Sequence, residues 1–305
     1  MKRIMRLGLG WDDPTPWKPQ KSAEQKECDR QRIRELLEGI GGGDLFRPDK
    51  TFYVLDLEMG SEAFHYVMDE LQKAPHLLRS PVFVVPIYSE HELSAAPLLV
   101  WHSTRYIPQC TGAGIGPYTR DCEACGAPLE QIRDLQVDMR LVGKRDVTIS
   151  THNYEFILSA RLAGMLQQTD FSGFTLRPAW PCRKPYQGAP RLFQLVVTNV
   201  LPPMASPPTQ FEEDEPHPKE CTVCGRRTYY LKHTHFWGRI QYYAETEVYY
   251  RKEVLESAQD FNIAHERFGE LRRSHQMTII SQRVYRWLRE QGMKGWAAEP
   301  VYLVE

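Results

Sequence analysis

Four of the seven cysteines fall in two matching settings: Cys122 and Cys125 before Gly126, and Cys221 and Cys224 before Gly225. Two thiolates three residues apart can reach one soft divalent ion. The glycine that follows lets the chain turn back, so that backbone N–H groups face the sulfurs. Two such C-x-x-C-G knuckles supply four sulfur ligands, the closed tetrahedral set of a structural zinc. That set has no open position for a metal-bound water, so it points to stapling and away from catalysis. One shared ion would join pairs 99 residues apart, and closing so long a loop removes much unfolded-chain entropy. The same residues also allow two separate sites, with Cys110 joining the first knuckle and His217, His233 or His235 the second. A redox dithiol, or four reduced thiols, are the other readings.

No other catalytic set is legible. The chain has no G-x-S-x-G, H-E-x-x-H, Walker or zinc-deaminase signature. The glycines of the 111–117 loop miss the dinucleotide spacing, and no helix pattern follows them. The expectation is a protein that is not an enzyme. Lys and Arg number 38 against 39 Asp and Glu, for a net charge of −1, so there is no global footprint for nucleic acid. The basic, interrupted N-terminus is too short for a signal peptide, and no apolar run reaches membrane-spanning length, which predicts a soluble cytoplasmic protein. In that compartment the cysteines are expected as thiols or metal ligands rather than disulfides.

The elements that must position the knuckles are of mixed type. Ser22 and Gln25 form a capping box before a helix over about 23–38, read as part of an N-terminal arm, 1–49. Strands are predicted at 51–57, 81–88, 97–101, 135–142 and 191–197. A helix capped by Ser61 carries Phe64, Val67, Met68 and Leu71 on one face. The proline-rich run 201–220, with its acidic residues, reads as an exposed loop.

A repeat is also present. Segments 157–180 and 279–302 align without a gap and share Ile157/Ile279, Ser159/Ser281, Arg161/Arg283, Leu166/Leu288, Gly173/Gly295 and Pro178/Pro300. Chance would give about one or two identities. Each reads as strand, serine-capped helix, glycine turn and strand. The expected architecture is therefore α+β: two related sheet-plus-helix units from an internal duplication, 50–185 and 186–305, joined by the zinc site. Arg161 and Arg283, two residues after the caps, either brace the same strand in both units or contact an anion.

The two knuckles, the S-x-R-h helix at Ser281 and Arg283, and Gly295-Trp296 before Pro300 resemble the double-C-x-x-C-G paralogous family of myxobacterial immunity proteins. The chain departs from that pattern in placing its first knuckle at residue 122 and in carrying the S-x-R-h unit twice. The resemblance implies a cytoplasmic protein that binds and neutralises a cognate toxin. Partner contacts are then expected from Tyr229, Tyr230, Trp237, Tyr242 and Tyr243, which can bury area while keeping a polar tip. The acidic Glu212, Glu213 and Asp214 join them as candidate contacts. A core-and-edge role for the aromatics and a solvated linker for the acids are the plainer readings. The competing function is a zinc-stapled nucleic-acid or regulatory module with a basic face near Arg226, Arg227, Lys232, Arg239, Arg251 and Lys252.

Overall fold

The computed structural model describes residues 1–10, 21–40, 46–49, 52–78, 82–108, 110, 119–151, 154–182, 188–212, 219–232, 234–237, 240–244 and 246–305. It is an α+β protein whose chain divides into two compact units. One comprises Met1–Ser89 with Lys232–Thr246, and the other Glu90–Leu231 with Glu247–Glu305.

The first unit is a six-stranded sheet with Ala23–Gly39 and Glu62–Lys73 as its two longer helices. Strand Lys2–Gly10 is not an arm: it pairs antiparallel with Phe52–Glu58 on one side and Val82–Ile87 on the other. Its alternation explains this. Met5, Leu7 and Leu9 point into the core with Leu55, Leu57, Phe64, Val67 and Ile33, while Arg6 on the opposite face pairs with Asp56 at 2.7 Å. The capping box forms as expected, with Ser22 Oγ accepting the Gln25 N–H at 3.1 Å and Gln25 Oε1 accepting the Ser22 N–H at 3.0 Å. The hairpin of Thr234–Trp237 and Ile240–Ala244 completes this sheet through parallel pairing with Val82–Ile87, although it lies far along the chain. The expected boundaries at 49/50 and 185/186 therefore do not match the compact units.

The second unit contains two larger sheets and both knuckles. One sheet runs, in order, Tyr106–Ile107, Val147–Ser150, Phe156–Ser159, Leu192–Val197, Phe174–Pro181 and Leu135–Val137. The other runs Asn199–Val200, Phe261–Ile263, Thr278–Ser281, Leu98–Ser103 and Trp296–Pro300. Leu192–Val197 thus sits between the strands that flank helix Ala160–Leu166. Leu98–Ser103 sits between the strands that flank helix Gln282–Glu290.

Local geometry is closely matched at the two helices. Ser159 and Ser281 cap them, accepting the N–H of Leu162 at 3.2 Å and of Val284 at 3.3 Å. Each serine hydroxyl also donates to an aspartate, Asp146 or Asp260, at 2.9 Å. Gly173 and Gly295 adopt φ of +88° and +94°, and a Cβ on either would collide with a carbonyl oxygen, of Phe261 or Val147 respectively. Glycine is required at both for that close approach. Trp101, Phe156 and Phe261 lie at the centre of the core between these elements, the first two stacked at 4.4 Å.

Two local expectations fail for legible reasons. The predicted strand 135–142 stops at Val137, because Asp138 caps a short helix, Met139–Val142, by accepting the Arg140 N–H at 3.1 Å. The start of the 201–220 run is not exposed: Leu201, Met204 and Ala205 are buried. Their N–H groups donate to Ile263 O, the Glu266 carboxylate and Tyr249 O at 2.8–2.9 Å, which satisfies a backbone without regular structure.

Candidate metal centre

Each knuckle is the tip of a small hairpin. Thr119–Asp121 pairs with Pro128–Gln131, and Lys219–Glu220 with Arg227–Thr228. The tips are built alike. Cys122 N–H donates to Ala127 O at 2.8 Å and Gly126 N–H to Cys122 O at 2.8 Å. Cys221 N–H donates to Arg226 O at 2.9 Å and Gly225 N–H to Cys221 O at 2.8 Å. Gly126 and Gly225 take φ of +68° and +67°, the left-handed turn that the second bond in each pair needs.

The two tips meet. Sγ of Cys122 lies 3.8 Å from that of Cys221, and Sγ of Cys125 lies 3.7 Å from that of Cys224. All four sulfurs fall within 4.8 Å of one another. A tetrahedron with metal–sulfur bonds of about 2.3 Å has edges of about 3.8 Å, so the four side chains could hold one metal ion. Electrostatics favour thiolates at the inner positions. Backbone N–H groups of Cys224 and Val223 pull the Cys221 thiol down to about 6. Those of Cys125 and Ala124 lower Cys122 likewise. Burial instead pushes Cys125 up to about 12, so without an ion the set resists full ionisation.

The two-site alternative loses its extra ligand at the first knuckle. Cys110 is bonded to Cys182 in a disulfide, Cα to Cα 6.0 Å, and is not free for the first knuckle. That bond also departs from the expectation of thiols throughout. His235 belongs to the other compact unit, while His217 and His233 lie outside the described residues.

The predicted partner residues fall in both compact units. Tyr229, Tyr230 and Glu212 lie together in the second unit, where the Glu212 N–H donates to Tyr230 O at 2.8 Å and the Tyr229 ring sits 5.3 Å from Phe211. Trp237, Tyr242 and Tyr243 belong to the hairpin of the first unit. Glu213 and Asp214 lie outside the described residues, as do Arg239 and the 111–117 loop.

Arg161 and Arg283 are both engaged by aspartates. Arg161 holds Asp146 at 2.8 and 3.2 Å, and Arg283 pairs with Asp170 and approaches Asp260 at 3.9 Å. Sequence reasoning does not pick out the aspartates, although Asp146 and Asp260 each stand directly before a core strand, Val147–Ser150 or Phe261–Ile263. Among the described residues no helix is long and apolar enough to cross a membrane. Comparison with protein-family models and with curated protein sequences gives no match.

Proposed function

We propose that this is a toxin-immunity protein whose second unit is a duplicated fold stapled by one structural zinc. Convergence of both knuckles on a single four-sulfur set carries the reading. The motif by which the chain resembles the immunity family is here one constructed feature. Four thiolates in tetrahedral array suit zinc, and no fifth donor is needed. The ion would hold the two hairpins together and supply folding free energy; the protein then acts by binding rather than by catalysis.

The repeats of this reading are Leu98–Pro181 and Leu192–Pro300, each giving its first strand to the other's sheet. The matched serine caps, aspartates, glycine turns and knuckles support it. So do the equivalent bonds from Ala160 N–H to Arg191 O at 3.0 Å and from Gln282 N–H to Pro97 O at 2.9 Å.

The proposed partner is a cognate toxin met in the cytoplasm. Tyr229, Tyr230 and Glu212 offer one contact surface, and the 234–244 hairpin with Trp237, Tyr242 and Tyr243 a second. The nucleic-acid alternative is weaker. Arg227 is held by Glu220, Lys252 by Glu305 and Arg251 by the Glu305 carbonyl, so these cations of the expected basic face are already engaged. Co-expression with the product of the adjacent gene tests the proposal. A stable complex that silences that product's toxicity supports it, and a toxic product that neither binds nor is inhibited ends it.

A further inference from the structure

Beside the second knuckle lies a cavity of about 370 Å³ whose polar wall is Arg226, Arg227, Arg267, His265 and Tyr229, with Cys224 of the metal centre at its edge. No carboxylate lines it. Burying several guanidinium groups together is costly unless anions pair with them. Arg227 has such a partner in Glu220 at 2.8 Å. Among the described residues Arg226 and Arg267 do not. Arg226 Nη2 donates to Pro128 O, while its Nη1 is buried without a hydrogen-bond partner. Arg267 makes no ion pair with a carboxylate among the described residues. Burial lowers its pKa to about 10, with Arg226 adding like-charge repulsion.

The backbones of both arginines are anchored. The Arg226 carbonyl accepts the Cys221 N–H at 2.9 Å, and the Arg267 carbonyl accepts the Tyr229 N–H at 2.8 Å. The Pro128 carbonyl holds one arm of the Arg226 fork, and its Nη1 and the Arg267 guanidinium are left as donors for an oxyanion. No guanidinium donates to a knuckle sulfur among the described residues, although Cys224 shares the cavity. Arg226, Arg267 and Leu129 also line a second cavity of about 300 Å³, whose wall includes Glu130 and Glu155. There the Tyr154 ring stacks on His275 at 3.9 Å, and Gln131 and Gln194 pair their amides at 2.9 and 3.0 Å.

We infer that Arg226 and Arg267 form a binding site for a phosphoryl group, with the adjoining aromatic cavity placed to receive the organic part of a phosphate monoester. A tetrahedral dianion matches two forked cations better than a single carboxylate does. The site stands independently of the toxin reading and needs only the second unit to be folded.

The test is titration calorimetry on the metal-loaded full chain with inorganic phosphate, phenyl phosphate and potassium chloride at matched ionic strength. Binding of phosphate above the chloride control is expected, weakened at least tenfold by Arg267→Gln and less by Arg226→Lys, with Arg289→Gln unchanged. Tighter binding of phenyl phosphate than of phosphate assigns an ester ligand, and equal binding assigns the free anion. Neither ligand exceeding chloride overturns the inference. So does Arg267→Gln losing metal to a chelator while phosphate affinity is unchanged, because the arginines would then serve the metal centre. If Arg267→Gln does not fold, the Arg226→Lys comparison decides alone: affinity equal to wild type overturns the site.

Discussion

Stripping the metal should destabilise one compact unit and leave the other alone. The proposed ion would join cysteines 99 residues apart. Loop-closure entropy for a link of about 100 residues is worth about 4.7 kcal/mol. The Cys110–Cys182 disulfide already shortens the path, to roughly 50 residues, and halving a loop removes about 0.6 kcal/mol. The staple is thus worth about 4 kcal/mol with the disulfide closed. A unit of this size shifts its melting point by roughly 2–4 °C per kcal/mol, so chelation should lower it by about 8–16 °C. Differential scanning calorimetry on loaded, chelated and reloaded protein measures this, with Cys221→Ser expected to match the chelated form. All four proposed ligands lie in the Glu90–Leu231 and Glu247–Glu305 unit, so the transition of the other unit should hold its position. A shift below about 2 °C, or an equal shift in both transitions, would show that the four sulfurs hold no stapling ion.

Other outcomes turn on single residues. Gly295→Ala and Gly173→Ala drive a Cβ into a backbone carbonyl and should each cost about 2–4 kcal/mol, whereas Gly60→Ala, at φ +84° with open space around it, should cost only about 1–2 kcal/mol in denaturant unfolding. Burial, reinforced by His102 and Arg267, holds His275 down to about 4. The unfolded chain therefore binds the proton first, and the contribution of His275, full above about pH 6.5, is lost as pH falls toward 4, by about 3 kcal/mol. His275→Gln should flatten that part of the stability–pH curve, and an unchanged slope would show that other groups cause it. Asp146 is disfavoured by burial, but Arg161, the Lys294 N–H and Ser159 outweigh this and keep it ionised; Asp146→Asn should cost about 1–3 kcal/mol in urea unfolding. If the proposed cytoplasmic location holds, thiol trapping in intact cells should label Cys110 and Cys182 as free thiols, because that compartment is reducing. A persistent bond would place the protein in an oxidising one.

Much of this architecture is legible in the sequence because it is local. Serine caps, apolar stripes and C-x-x-C-G turns are written within a few residues of each other, and Ser22, Ser61, Ser159 and Ser281 all cap where expected. The pairing partners are not legible. Nothing near Leu192–Val197 says that it lies between strands flanking the preceding helix, or that the 234–244 hairpin joins a sheet begun at Lys2. Such pairings are decided by long-range packing. Strand Lys2–Gly10 escapes a sequence reading because glycines and arginines dilute its alternation, although Met5, Leu7 and Leu9 keep period two. The Arg226–Arg267 cavity is hidden for the same reason as the strand pairings: its walls meet only in the fold, with no sequence spacing to announce them.

The proposed staple is one ion held by four sulfurs, two from each knuckle. X-ray absorption at the metal edge, combined with metal content per chain, reads out both the donor set and the stoichiometry. One zinc per chain with four sulfur neighbours at about 2.3 Å is expected. Two metals per chain, nitrogen or oxygen among the ligands, or no bound metal in protein purified without chelator would overturn it.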